Sequence, residues 1–459
     1  MERGRDGAPI RLLLIVTVSA VFVIVMNGSM VNVALPTIGE QFGVSEGQAE
    51  WVISGYLLVF AVGIPLYGRL ADVYSLRKAF SFGLVGFVAG SLVCALAPNL
   101  PVLVAGRVLQ AAGGAAIPAL SSTSVAKLLP PGQRGGALGH IVSSVGVVVQ
   151  FAGWHALFYG TLCLGLILLP AALRVLPETA PARPGASFDL PGGALLALTA
   201  GLSLLGVTEG EVQGFSSPLS WGSFVAAALC GLGFGWRINT APEPFVFPGL
   251  FRNRAYVACA AVGFFGFLAN LTSLVFVPLL VSEVNGLSAG AAGLVLAPGA
   301  VALALLSPLA GRLSDRVGAR PLVLLGLFTM FLSLLVLSTF GPGASQLVLA
   351  AGMLGVGAGF AGITSPNTNA AAATLPRDEV GVGLGIYQML FFLGGGFGPA
   401  LLGAFLAARA GDAALNPLYA LDAAPFSDAF LLMSLCVLLA LILAAGYGRP
   451  VGEGSKVDL

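Results

Sequence analysis

Positive charge recurs at a fixed rhythm along this chain. Nineteen of its 21 lysines and arginines fall in the tails or in every second gap between long apolar runs, and the intervening gaps are almost bare. Lys and Arg resist translocation, so an alternation of this kind fixes how a chain threads a bilayer. It predicts a protein that crosses the membrane repeatedly, with both termini on the cytoplasmic side. A spanning helix takes about 20 mainly apolar residues. Fourteen runs qualify, at roughly 11–34, 50–68, 79–97, 101–128, 136–152, 155–176, 190–208, 219–237, 255–281, 288–311, 320–341, 345–374, 381–408 and 428–447. Among the sparse gaps only the one with Arg409 holds a cation, and Arg107 lies inside the fourth run. The runs over 136–152 and 155–176 are short for two crossings, but a single crossing there would invert every later gap. Two short spans with a tight turn near Gly153 satisfy the charge pattern.

Composition excludes most other classes. The chain is 57% hydrophobic and 9% charged, against about 25% charged residues in a soluble domain. Its net charge is +1 and its basic residues are dispersed, which argues against a nucleic-acid partner. Cys94, Cys163, Cys230, Cys259 and Cys436 all sit in apolar runs without a Cys-x-x-Cys pair, and His140 and His155 form no metal-ligand spacing. No nucleophile–base pair and no Gly-x-x-x-x-Gly-Lys-Ser/Thr loop occurs. No enzyme activity, no cofactor and no direct use of ATP is therefore expected. Arg3 and Arg5 precede an apolar run without a small-residue cleavage site, so this segment reads as an uncleaved first span.

The chain repeats itself. Gly68-Arg69-Leu70-Ala71-Asp72-Val73-Tyr74-Ser75-Leu76-Arg77 parallels Gly311-Arg312-Leu313-Ser314-Asp315-Arg316-Val317-Gly318-Ala319-Arg320, 243 residues later. Each copy follows the second run of a group of six. The expected organisation is therefore an N-terminal six-helix half (1–183), two inserted helices with a linker (184–254) and a C-terminal six-helix half with its tail (255–459). Parallel halves of this kind form a transporter architecture.

The loop motif Gly-x-Leu-x-Asp-x-x-Gly-x-Arg resembles the signature of the major facilitator superfamily. Trp51-Val52, Tyr56, Pro65 and Gly68 resemble its fourteen-span drug:proton antiporter subfamily. So do Asn32-Val33-Ala34-Leu35-Pro36, Arg107-x-x-Gln110-x-x-Gly113 and Pro244-Phe245 through Pro248-Gly249-Leu250-Phe251-Arg252-Asn253. The resemblance runs from about residue 20 to 405. It implies an all-α membrane protein of fourteen spans that exports amphipathic drugs by rocking its two halves. It also implies a proton as coupling ion, a plasma (inner) membrane location and a monomer.

Two groups of residues follow. Gly68, Arg69, Asp72, Arg77, Arg134, Gly311, Asp315 and Arg316 form the expected gating set. The glycines permit close helix approach. The two aspartates are placed to accept hydrogen bonds from the free N–H groups of a neighbouring helix, where the dipole favours an anion, with Arg69, Arg77 and Arg134 able to pair with them. The bland alternative for this set is topology determinants and solvated loop charges. Asn27, Asn32, Arg107, Gln110, Gln150, Asn270, Asn367 and Gln388 form the expected substrate and proton pathway, with Phe264, Phe265, Phe267, Phe391 and Phe392 as apolar surface. Arg107 lies about 9 Å deep, counted from its helix start. It reads as a cavity cation that tunes a proton site or meets an anionic group, or as an arginine snorkelling to the interface. The polar residues of the pathway are equally open to ordinary interhelical hydrogen bonding.

Three departures bear on function. Ser75 stands where the motif has Gly. Asn27-Gly28 and Gly394-Gly395-Gly396 stand where the family often carries an acid, and none of the 20 Asp and Glu residues falls in the middle third of a run. A Gly-Pro-Gly-Gly-type stretch is missing from the run over 136–152, where Gln150-Phe151-Ala152 passes directly into Gly153-Trp154. A second reading therefore stays open: a non-transporting or coupling-impaired homologue acting as sensor, scaffold or decayed exporter.

Overall fold

The computed structural model describes residues 16–17, 19–20, 23–24, 27, 31, 35, 38–44, 46–49, 51–118, 120–121, 154–176, 188–286, 289–343, 345–376, 378–409, 413–419 and 423–446. Twelve long helices lie within them: α1 (Trp51–Val73), α2 (Leu76–Ala95), α3 (Leu100–Gly114), α4 (Trp154–Val175), α5 (Leu190–Gln213), α6 (Pro218–Thr240), α7 (Arg254–Glu283), α8 (Ala289–Val317), α9 (Ala319–Phe340), α10 (Gln346–Ala373), α11 (Val380–Ala408) and α12 (Ala424–Ala445). Each contains a stretch long and apolar enough to cross a membrane. Of the fourteen runs read from sequence, twelve are thus matched. The run over 136–152 lies outside the described residues, and that over 11–34 is described only at scattered helical positions.

Local rules place the helix ends. Asn99 caps α3 by accepting from the Val102 N–H at 3.0 Å, and Ser75 caps α2 by accepting from the Lys78 N–H at 3.2 Å. Side-chain acceptors at these positions satisfy backbone donors that the helix itself leaves open. Among the described residues seven prolines lie in helix interiors beyond the first turn, Pro65 in α1 and Pro399 in α11 among them. Neighbouring helices make such interruptions tolerable in a bundle. Large apolar side chains stand exposed on the outer faces, such as Leu232 and Trp236 of α6 and Leu325 of α9, as a lipid solvent requires.

The N-terminal half holds α1–α4, with α2 packed on α3 and α4 and α1 packed on α3; the C-terminal half holds α7–α12, with α10 against α8 and α9 and α12 against α7 and α9. Among the described residues the main contact between the halves is α1 against α11, and α5 of the inserted pair packs on both. An apolar cluster of Leu196, Ala200, Phe245, Tyr256, Val382 and Leu384 fills this seam toward the Asp72 end of the bundle. The inserted pair is anchored by Asp189. Its carboxylate accepts from Arg237 (Nη2 3.0 Å, Nε 3.1 Å), the Gly192 N–H (3.2 Å) and the Phe245 N–H (3.1 Å).

Candidate functional site

Arg107 and Gln110 stand three residues apart on α3, hence on one helix face. Gly90 of α2 meets the backbone of Gln110, where a Cβ would come within 2.3 Å of its nitrogen. That approach sets Ser91 beside Gln110, whose Nε2 donates to Ser91 Oγ at 2.7 Å. Arg107, 1% exposed, donates from Nε to the Val52 carbonyl at 3.1 Å and from Nη1 to Gln110 Oε1 at 2.7 Å. The same Nη1 donates to Asn27 Oδ1. Its guanidinium carbon lies 3.9 Å from the Tyr56 ring centre. Gly114, one further turn along, leaves room for the Tyr56 hydroxyl, 3.5 Å from where its Cβ would be. The charge is therefore buried among neutral acceptors and an aromatic face, and no carboxylate among the described residues lies in ion-pair reach of it. Burying an ion costs several kcal/mol after relaxation. Charge-assisted hydrogen bonds of about 1.5–3 kcal/mol each and a desolvated cation–π contact of about 2 kcal/mol offset it. The interface-snorkelling reading of Arg107 does not fit this geometry.

From Tyr56 a line of rings crosses to the other half. Tyr56 stacks on Phe60 at 5.5 Å, and Phe60 meets Phe392 of α11 edge-on at 5.2 Å. Phe392 adjoins Phe391 and Phe267, and Phe267 stacks on Phe391 at 4.2 Å. Phe267, Phe391 and Phe392 remain half-buried. In the C-terminal half Asn367 is fully buried, and its Nδ2 donates to the Cys259 carbonyl (2.8 Å) and to the Tyr387 hydroxyl (3.0 Å). Thr368 Oγ1 lies 3.3 Å from the same hydroxyl.

At the opposite end of α1 the halves touch backbone to backbone. A Cβ on Gly68 would fall 2.3 Å from the Gly381 carbonyl oxygen, and one on Gly381 would fall 2.4 Å from Asp72 Oδ1. Asp72 is fully buried and accepts from the Val382 N–H of α11 at 2.8 Å. A carboxylate thus sits on the N-terminus of a helix from the other half, where free N–H groups and the helix dipole favour it.

The structure brings Asn27, Arg107 and Gln110 together, and Gly68 and Asp72 together. Arg69 is buried beside them in α1 and Arg77 is half-buried at the start of α2. In the second copy Gly311 is buried, Asp315 half-buried and Arg316 exposed. Asn270 is buried on α7 and Gln388 half-buried on α11. Asn32, Arg134 and Gln150 lie outside the described residues. Sequence reading passed over Ser91, Thr368 and the anchoring role of Asp189. Ser91 was findable, because it follows Gly90 in the Gly83–Gly90 stripe of α2. The reading also ended the second run at 68 and the seventh at 208. The helices continue to Val73 and Gln213, so Asp72 and Glu209 belong to buried helical turns rather than to loops.

The sequence profile of the Major Facilitator Superfamily matches residues 17–399, and a second match covers 258–457. The chain belongs to this superfamily. It is a multi-pass membrane transporter and not an enzyme. Multidrug resistance protein Stp of Mycobacterium tuberculosis is 32% identical over 413 residues, covering 86% of this chain and 76% of that protein. The tetracenomycin C resistance and export protein of Streptomyces glaucescens is 28% identical over 421 residues, covering 89% and 78%. Among solved structures, the human organic anion transporter MFSD10 (TETRAN) superposes with a TM-score of 0.68 at 16% identity, covering 95% of this chain and 99% of that one. The last likeness is one of fold.

Proposed function

We propose that this transporter is a secondary active exporter of amphipathic small molecules, driven by proton antiport and working by alternating access of its two halves. The observation that carries this reading is the seam between α1 and α11. It is pinned at one end by Asp72 on Val382, while the cation and half-buried rings gather away from the pin. A molecule held between halves that touch at one end is released when the contact moves to the other. Relatives named for multidrug resistance and tetracenomycin C export support the direction and the substrate class.

In this reading the chain has fourteen spans. Residues 1–183 and 255–459 are the rocking halves, and 184–254 is an inserted pair with its linker. Both termini lie in the cytoplasm, and the monomer works in the plasma (inner) membrane. Asn27, Asn32, Arg107, Gln110, Gln150, Asn270, Asn367 and Gln388 line the substrate and proton pathway. Gly68, Arg69, Asp72, Arg77, Arg134, Gly311, Asp315 and Arg316 form two cytoplasmic latches. The substrate lays its apolar body on the Phe60–Phe392–Phe391–Phe267 line and turns a polar group toward Arg107.

Reconstitution in vesicles tests this. An amphipathic dye should move only under an imposed pH difference, and internal pH should change as it moves. Dye movement with no pH change would remove the proton from the mechanism. Dye binding without flux under either gradient would favour the non-transporting homologue, a reading kept in view by the lack of a carboxylate beside Arg107 among the described residues.

A further inference from the structure

The inserted helix α5 does more than fill the seam. Its Gly193 and Gly201 lie against Leu66, Val62 and Leu58 of α1, and its Leu204 reaches Gly396 of α11. Around and beyond Leu204 a crevice of about 260 Å³ lies between α1 and α5, with Gly396 of α11 in its wall. Trp51, Leu57 and Leu58 of α1 and Leu204 and Leu205 of α5 give it apolar walls, and among the described residues lining it Glu209 is the one that is charged. Glu209 is 9% exposed. The only hydrogen bond it makes among the described residues is from Gln213 Nε2 to its Oε2, at 2.7 Å. A carboxylate has about four lone-pair sites, so Oε1 remains for a guest. Arg107 does not serve it. That side chain bonds the Val52 carbonyl on the α3-facing side of α1, whereas Trp51, Ser54 and Leu58 share the crevice side. Glu211, two residues on, turns to Gly403 of α11 instead.

The geometry points to this crevice as a binding site for small lipophilic cations, with Glu209 as counter-ion and Trp51 as aromatic wall. A carboxylate held in a low-dielectric wall attracts a cation far more strongly than in water. An indole face adds a cation–π contact, and leucines take the apolar body. This inference rests on the export reading for its purpose, since it names the cationic class among amphipathic substrates and the place where such a molecule docks. Its test does not need transport.

The full chain, purified in nanodiscs, is dialysed to equilibrium against N-methylquinolinium and against its neutral isostere 1-methylnaphthalene. The wild type should prefer the cation by about tenfold or more. Glu209→Gln should abolish that preference while leaving the neutral isostere bound as before, and Glu209→Asp should retain most of it. Equal affinities for the two probes in the wild type, or an unchanged cation preference in Glu209→Gln, overturns the proposal. A preference lost equally in the Asp variant assigns Glu209 a packing role and overturns it too. Absence of proton-driven dye flux in vesicles would sink the export reading and leave this binding result standing.

Discussion

At the scale of single residues, two arginines break the charge rhythm, and each is resolved by its neighbours. Arg107 is held by a fork. Nε serves Val52, while one Nη1 serves Asn27 and Gln110. Lysine keeps the charge but offers a point donor on a flexible stem. Arg107→Lys should therefore lower stability by about 1–3 kcal/mol, the loss of one to two charge-assisted bonds, seen as a lower thermal midpoint in detergent. It should also cut dye efflux at least several-fold, and full efflux with unchanged stability would contradict the fork. Arg409, the single cation of the sparse gaps, pairs with Asp428 (Nη2–Oδ2 2.9 Å), whose Oδ1 accepts from the Leu415 N–H at 2.7 Å. Asp428→Asn should loosen this end of α11, α12 and the 413–419 segment. Because Arg409 is 21% exposed, the expected cost is about 1–2 kcal/mol after solvent screening, and faster hydrogen exchange over 413–419 is the readout. Arg107 and Gln110 were legible as a same-face pair from spacing alone. Asn27 and Ser91 were legible as polar residues but not as their partners.

At the scale of elements, the repeated motif turns out to be the last turns of a helix. Asp72 and Asp315 lie inside α1 and α8, and hydropathy ends a run before the helix ends, because the last turns turn polar while the backbone ladder continues. The two copies then leave the helix differently. Gly318 has φ +86°, the left-handed region that favours glycine, and Ser75 has φ −171°, extended backbone open to any residue. Ser75 uses its hydroxyl to cap α2. The serine that departs from the motif therefore has a capping role of its own. Glycine does matter where α1 meets α11, since a Cβ on Gly381 would fall 2.5 Å from the Gly68 carbonyl oxygen and against the Asp72 carboxylate. Gly381→Ala should push the two helices apart at this end with little effect on folding within either half. Faster alkylation of a cysteine placed at Val382 would register the gap, and unchanged protection would argue that the seam yields without opening.

At the scale of the whole molecule, the proposed alternating access requires the seam between α1 and α11 to open, and Asp72 is what the structure places across it. Asp72→Asn keeps the shape of the side chain and removes the anion from the α11 N-terminus. Losing about 1–3 kcal/mol of such a contact shifts an equilibrium roughly 5- to 150-fold. Spin labels at Tyr74 and Pro376, both exposed at this end, should report a second, longer distance in the variant, and a single unchanged distance would show that Asp72 is not what holds the halves. The sequence by itself determined which segments are long apolar helices and the superfamily to which the chain belongs. The reason is that a bilayer enforces local rules: each spanning segment must satisfy its own backbone and show apolar side chains to lipid. Only the tertiary structure decided which polar groups meet. Asn27 reaches Arg107 across 80 residues and Val382 reaches Asp72 across 310, and the inserted helix brings Glu209 to the seam. Those meetings depend on which helices become neighbours and how closely glycines let them approach, and no local pattern carries that information.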